Sequence, residues 1–138
     1  MSAADNKSLL QAIFAETAIG NGKPFVEALA DDVRWTIIGS TAWSGTYNGK
    51  SAVLHDLLFP LGAQMAAANV TTASTYIAEG DAVVVEGEGR NTTKAGQPYN
   101  NRYCWVFRFH NGMIASIVEY ADTALIDAVL QPPVPGAR

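Results

Sequence analysis

Apolar positions recur along this chain in two rhythms, helical in the first half and alternating in the second. Leu9, Leu10, Ile13, Phe14, Thr17 and Ala18 fall at the spacing that lays one apolar stripe along a helix. Gly20-Asn21-Gly22 supplies the stop, because Gly and Asn accept the left-handed conformation at a helix end. Pro24 suits a first helical position, and Phe25, Val26, Leu29 and Ala30 predict a short second helix closed by Asp31-Asp32. Val33–Ile38 is strand-length and rich in β-branched and aromatic residues. Gly39–Gly49, with its glycines and hydroxyl residues, predicts a loop or irregular hairpin. Ser51 then caps a third predicted helix carrying Val53, Leu54, Leu57, Leu58 and Leu61, which Pro60 should kink or divide.

After Asn69 the period becomes two. Strands are predicted over Val70–Ala78, Ala82–Thr92, Tyr99–His110 and Met113–Ala121. They are separated by Glu79-Gly80-Asp81, Lys94-Ala95-Gly96-Gln97 and Asn111-Gly112, and Asn-Gly between two strands is the strongest short hairpin signal. A last helix is predicted over Thr123–Leu130 with Asp122 as its N-cap. Residues 1–131 are read as one domain and 132–138 as a Pro-rich tail, extended or loose. Helices followed by an antiparallel meander make an α+β fold, with the helices covering one face of the sheet.

The chain of 138 residues is 49% hydrophobic and 16% charged, which suits a packed core and excludes disorder. Nine Lys+Arg against thirteen Asp+Glu give a net charge of −4, so no nucleic-acid partner is expected. No apolar run approaches the ~20 residues of a membrane span, and Met1–Lys7 lacks a signal-peptide pattern; a cytoplasmic protein is expected. The single Cys104 excludes an intrachain disulfide, and His55 and His110 lack metal-ligand spacing. The glycines match neither a P-loop nor a dinucleotide fingerprint, so neither metal nor cofactor is expected.

In Tyr99–His110 the odd positions hold Asn101, Tyr103, Trp105, Phe107 and Phe109, and the even ones include Arg102 and Arg108. Alternation therefore turns the odd set inward. The odd set of the last strand is Met113, Ala115, Ile117, Glu119 and Ala121. If it too faces inward, Glu119 is an isolated carboxylate on an apolar surface, where desolvation raises its pKa toward acid–base work. The alternative is an Arg-paired carboxylate at a sheet edge. Val84, Glu86, Glu88 and Arg90 share one strand face, read either as a solvated ladder or as placing Glu88 and Arg90 at a cavity mouth. Gly87 and Gly89 on the other face mark a bend or bulge. Trp35, Trp43, Tyr103 and Trp105 are core aromatics, some of them available to line an apolar pocket.

Several strings carry a resemblance: Leu29–Trp35, Ser44–Lys50, Pro98–Asn101 with Val106–Phe109, and Glu119–Thr123. Over nearly the whole chain except the tail, the sequence resembles the nuclear-transport-factor-2-like (cystatin-like) superfamily, in particular its SnoaL-like and ketosteroid-isomerase-like members. The resemblance implies a cone-shaped curved sheet around helices, a deep apolar pocket, and a homodimer through the outer sheet face, with which Cys104, Val106 and Val118 are compatible. By similarity to the limonene epoxide hydrolases, Glu119 and Glu88 fall at the two catalytic carboxylates, while the bridging arginine, tyrosine and asparagine of those enzymes are unmatched. The base and oxyanion positions of ketosteroid isomerase fall on Thr36 or Ile37, Ile13 or Phe14, and Trp105, which cannot serve. The implied function is acid–base catalysis on an apolar small molecule. Glu119 and Glu88 would be catalytic; Asn101 and Tyr103 would be hydrogen-bonding orienters, Arg90 a further ligand-binding residue, and Trp35, Trp105 and Phe59 pocket walls. The alternative is a non-catalytic binding or dimerisation module of the same fold.

Overall fold

The structure, a computed structural model, describes residues 1–137; Arg138, the last residue of the Pro-rich tail, lies outside them. Helix α1 spans Ala3–Thr17 and starts at a capping box, in which Ser2 and Asp5 each accept the other's backbone N–H at 3.1 Å. Its buried stripe is Leu10, Ile13, Phe14 and Thr17. Helix α2 is shorter than its apolar pattern predicts. It ends at Ala28, and Leu29–Ile37 is already strand β1, with Asp31 and Asp32 inside the strand. The predicted loop 39–49 contains a short strand β2, Gly45–Asn48, which pairs antiparallel with β1.

The third helical stretch is composite. Helix α3 (Lys50–Ala52) has Gly49, not Ser51, at its N-cap, with no side-chain cap. A π-helical segment follows over Val53–Leu58, and then helix α4 over Phe59–Gln64 with Pro60 in its first turn. Proline has no N–H to give the preceding turn, and the wider π geometry falls where that ladder would fail.

Strands β3 (Thr71–Glu79), β4 (Ala82–Gly89), β7 (Arg102–His110) and β8 (Met113–Ala121) form the predicted meander. Two predicted strands are interrupted. The second stops at Gly89 and resumes as β5 (Asn91–Thr92); the third begins as β6 (Pro98–Tyr99) and restarts at Arg102. The β5–β6 pair forms its own ribbon. The main sheet runs β2-β1-β8-β7-β4-β3. All its pairs are antiparallel except β1 with β8, which run parallel and place Trp35 beside Ile117 and Ile37 beside Glu119. Helix α5 (Thr123–Val129) is capped by Asp122, whose side chain accepts from the Leu125 N–H.

The inner face of this curved sheet packs on α1. Phe107, Ile114, Ile117, Val83, Val85 and Val33 are almost wholly buried there, each contributing about 1.5–3 kcal/mol by leaving water. Gly87 lets the sheet bend, because a Cβ would collide with the Thr72 carbonyl and press on the Trp105 ring. The odd-inward alternation of β7 holds, with Trp105, Phe107 and Phe109 buried and Arg102 and Arg108 exposed. In β8 it holds only from Ile117 onward. A bulge at Ala115 slips the register against β7, so Ile114 rather than Met113 is buried.

Candidate functional site

A cavity of about 660 Å³ opens between the inner face of the sheet, α1, α2, the π-helical segment with α4, and α5. Its walls are mostly apolar: Phe14, Phe25, Trp35, Trp43, Leu54, Leu57, Leu58, Phe59, Trp105, Phe107, Ile126 and Leu130. Polar groups are few. Glu119, Tyr99, Tyr103 and Thr71 stand on the strands, while Thr17, Lys23, Glu27 and Asn69 belong to the helical and connecting segments. The helical wall is the composite stretch whose π geometry accompanies Pro60.

Glu119 is the buried carboxylate of the site. Its strand phase puts it inward on β8, beside Trp105 on β7 and Ile37 on β1. The Trp105 indole donates from Nε1 to Glu119 Oε1 at 3.0 Å. The Trp35 indole N–H makes no hydrogen bond of good geometry, yet lies close enough to Glu119 to favour its ionised form. Desolvation outweighs both indoles and pushes the Glu119 pKa from 4.5 up to about 7. The edge-strand, Arg-paired reading of Glu119 is therefore set aside.

Tyr99 and Tyr103 form a second polar element. Asn101 Nδ2 donates to the Tyr99 hydroxyl at 3.1 Å. Burial raises both tyrosine pKa values, and Tyr103 is pushed further by Tyr99 and Glu119. The Tyr103 ring stacks on Trp105 with centroids 4.7 Å apart, so ring and carboxylate are held against one indole.

Of the residues singled out from sequence, Glu119, Tyr103, Trp35, Trp105 and Phe59 line the cavity. Asn101 does not. It is fully buried, accepts from the Arg102 and Asp122 N–H groups, and donates to Tyr99 and the Asp122 carbonyl. With both ends of its amide engaged it locks the entry of β7 to the exit of β8, and it reaches the cavity only through Tyr99. Glu88 and Arg90 also lie elsewhere. They pair with each other at 2.7 Å, with side chains 42% and 69% exposed, on the outer side of the sheet. Glu88 shares a shallow polar groove with Thr72, Ser74, Glu86 and Arg102. The cavity-mouth reading of these two residues is thus corrected in favour of the solvated ladder; the even positions of β4 face out. Tyr99 was not singled out, although its odd position gives it the same inward phase as Tyr103 and Trp105. Among the described residues there is no cluster of His, Cys, Asp and Glu able to hold a metal ion. No described helix is long and apolar enough to cross a membrane.

A curved sheet wrapped on helices around an apolar cavity with one inward carboxylate defines an α+β cone of the nuclear-transport-factor-2-like kind. The chain belongs to the SnoaL-like domain family, whose pattern matches residues 10–117. No curated protein matches it significantly. Similar solved structures include a nuclear-transport-factor-2-like protein of unknown function from Burkholderia pseudomallei, at 24% identity, 95% coverage of this chain, 99% of that one and a TM-score of 0.78. A proposed isomerase from Bacillus subtilis is 18% identical, with 94% and 95% coverage and a TM-score of 0.76. A proposed SnoaL-like polyketide cyclase from a Jannaschia species is 16% identical, with 95% coverage of each chain and a TM-score of 0.72. At these identities the likeness shows a shared fold.

Proposed function

We propose that the protein is a cofactor-free enzyme acting by acid–base chemistry on an apolar small molecule, with Glu119 as the acid/base group. The observation that carries this reading is the isolated Glu119 carboxylate, held by the Trp105 indole in an apolar cavity, with its pKa at about 7. A group that titrates near neutrality is present in both protonation states and can take a proton from one atom and return it to another. Tyr99 and Tyr103 supply hydroxyl donors on the same cavity wall, and the aromatic walls exclude water. The similar proteins proposed as an isomerase and a cyclase fit this class of reaction. The test is turnover of a panel of apolar cyclic ketones, epoxides and polyketide esters by the native protein and by Glu119→Gln. A substrate consumed by the former and lost at least 100-fold in the folded variant supports the reading; full turnover by the variant overturns it.

One observation favours a second reading, a binding module without catalysis. With Glu88 on the outer side of the sheet, no second strand carboxylate stands with Glu119; the other carboxylate among the described lining residues, Glu27, sits on α2 one helical turn from Lys23. Ligand binding without turnover of any panel member would select it.

The same proposal includes a homodimer through the outer sheet face and, with Cys104 a free thiol, a cytoplasmic location. Ile77, Val84, Val106 and Val118 form one apolar row across β3, β4, β7 and β8, continued by Thr36 and Thr46. Val106→Asp should convert a dimer to monomers in sedimentation equilibrium; a monomeric native protein removes the claim.

A further inference from the structure

The site has a charge imbalance that the walls do not correct. Glu119 is 8% exposed, and among the described residues no arginine lines its cavity. Lys23 is the one lysine in the lining, and it has Glu27 one helical turn away on the same short helix. The two ion pairs found among the described residues, Arg90 with Glu88 and Arg108 with Asp81, are both exposed. Glu119 thus meets donors but no counter-charge: the Trp105 indole at 3.0 Å and the nearby Trp35 indole. Around it stand Trp35, Trp105, Tyr99 and Tyr103, with Phe25 packed at a tilt on Trp35, centroids 5.6 Å apart, and Phe14 likewise on Trp105 at 5.2 Å.

A lone carboxylate enclosed by aromatic rings is the arrangement that receives a cation. The carboxylate neutralises the charge, and ring faces replace part of the water the cation gives up. An anionic ligand would meet Glu119 without a cation to offset it. We propose that the natural ligand of this cavity carries a protonated amine on an apolar cyclic body, with the ammonium at Glu119 and the body against the aromatic walls. The proposal rests on the cavity reading of the proposed function and sharpens it. An ammonium beside Glu119 keeps the carboxylate ionised, so Glu119 works as a base rather than as an acid.

The test uses two probes of one shape, naphthylethylamine and naphthylethanol, titrated by tryptophan fluorescence and calorimetry between pH 5.5 and 8.5, a range of about three units around the Glu119 titration. The amine stays protonated over most of this range, like a lysine with pKa about 10. The expected result is amine binding at least tenfold tighter than alcohol binding at about pH 8. Amine affinity should fall about tenfold per pH unit below about 7 as Glu119 takes up its proton, while alcohol affinity holds. Glu119→Gln should erase the preference and the pH slope yet still bind the alcohol. Equal or tighter alcohol binding at every pH, or a preference that survives Glu119→Gln, overturns the amine proposal and leaves the acid–base reading standing. Failure of both probes to bind overturns the proposal and the cavity's role as a site for apolar ligands together.

Discussion

The inner and outer faces of the same strands treat their carboxylates in opposite ways. Glu119 on β8 and Glu88 on β4 both belong to the main sheet, one strand on either side of β7. Inside, Glu119 meets indoles and apolar walls and is driven toward its neutral form. Outside, Glu88 is partly exposed and pairs with Arg90 at 2.7 Å. The raised proton affinity of Glu119 follows from its strand face, set by the residue parity that turns toward the helices. A substitution on one face should therefore behave unlike its counterpart on the other.

The largest contrast is in packing. Phe107→Ala, on the inner face at 1% exposure, should cost about 3–5 kcal/mol, whereas Val106→Ala beside it should cost about 1 kcal/mol or less. Urea unfolding of the two variants checks this, and equal losses would break the distinction between the faces.

The next contrast is in pH. Glu119 holds its proton more tightly in the fold than in the unfolded chain, so its contribution is complete below about pH 4.5 and is lost as pH rises to about 7. A shift from 4.5 to about 7 corresponds to about 3 kcal/mol of stability lost over that window. Glu119→Gln should remove this loss, so that the native protein and the variant diverge by about that amount between acid and neutral pH. Parallel stability–pH curves would show that the carboxylate titrates normally.

Trp105→Phe should act on the same curve more gently. Losing the indole donor removes a group that favours the carboxylate, so the pH at which the decline levels off should move upward. A downward move would mean that the Glu119–Trp105 contact does not stabilise the anion. The smallest effect belongs to the outer face: Glu88→Gln or Arg90→Ala should change stability by about 1 kcal/mol or less and leave ligand binding in the cavity unchanged.

These contrasts also mark what could be read before any coordinates. Alternation in β7 and the Asn111-Gly112 turn carried the meander, because a half-buried strand must show its period in its residues. Glu119 was legible for the same reason, as a charged residue in an apolar phase. The Ala115 bulge was not, since an extra residue leaves no mark when both sets in β8 are fairly apolar. The outward turn of Glu88 stayed open because both faces of β4 read as usable, one with charges and the other with Val and Gly. The inward phase of Tyr99 follows from its odd position, but its anchoring stayed hidden, because the Asn101 amide that holds its hydroxyl also bonds Asp122, 21 residues away. Pro60 announced a break, but only the backbone shows a π-helical segment leading into it.

The parallel pairing of β1 with β8 sets the order in which the molecule assembles. The meander from β3 to β8 can form from neighbouring segments by short turns, whereas Trp35 and Ile37 must find Ile117 and Glu119 across most of the chain. Loop-closure entropy makes that encounter late and slow. On the ribosome, β1 cannot pair with β8 until β8 has emerged, and their docking brings Ile37 beside Glu119 and helps to shut it away from water. The carboxylate is thus born solvated and ionised, and it acquires its unusual proton affinity in the closing step of folding.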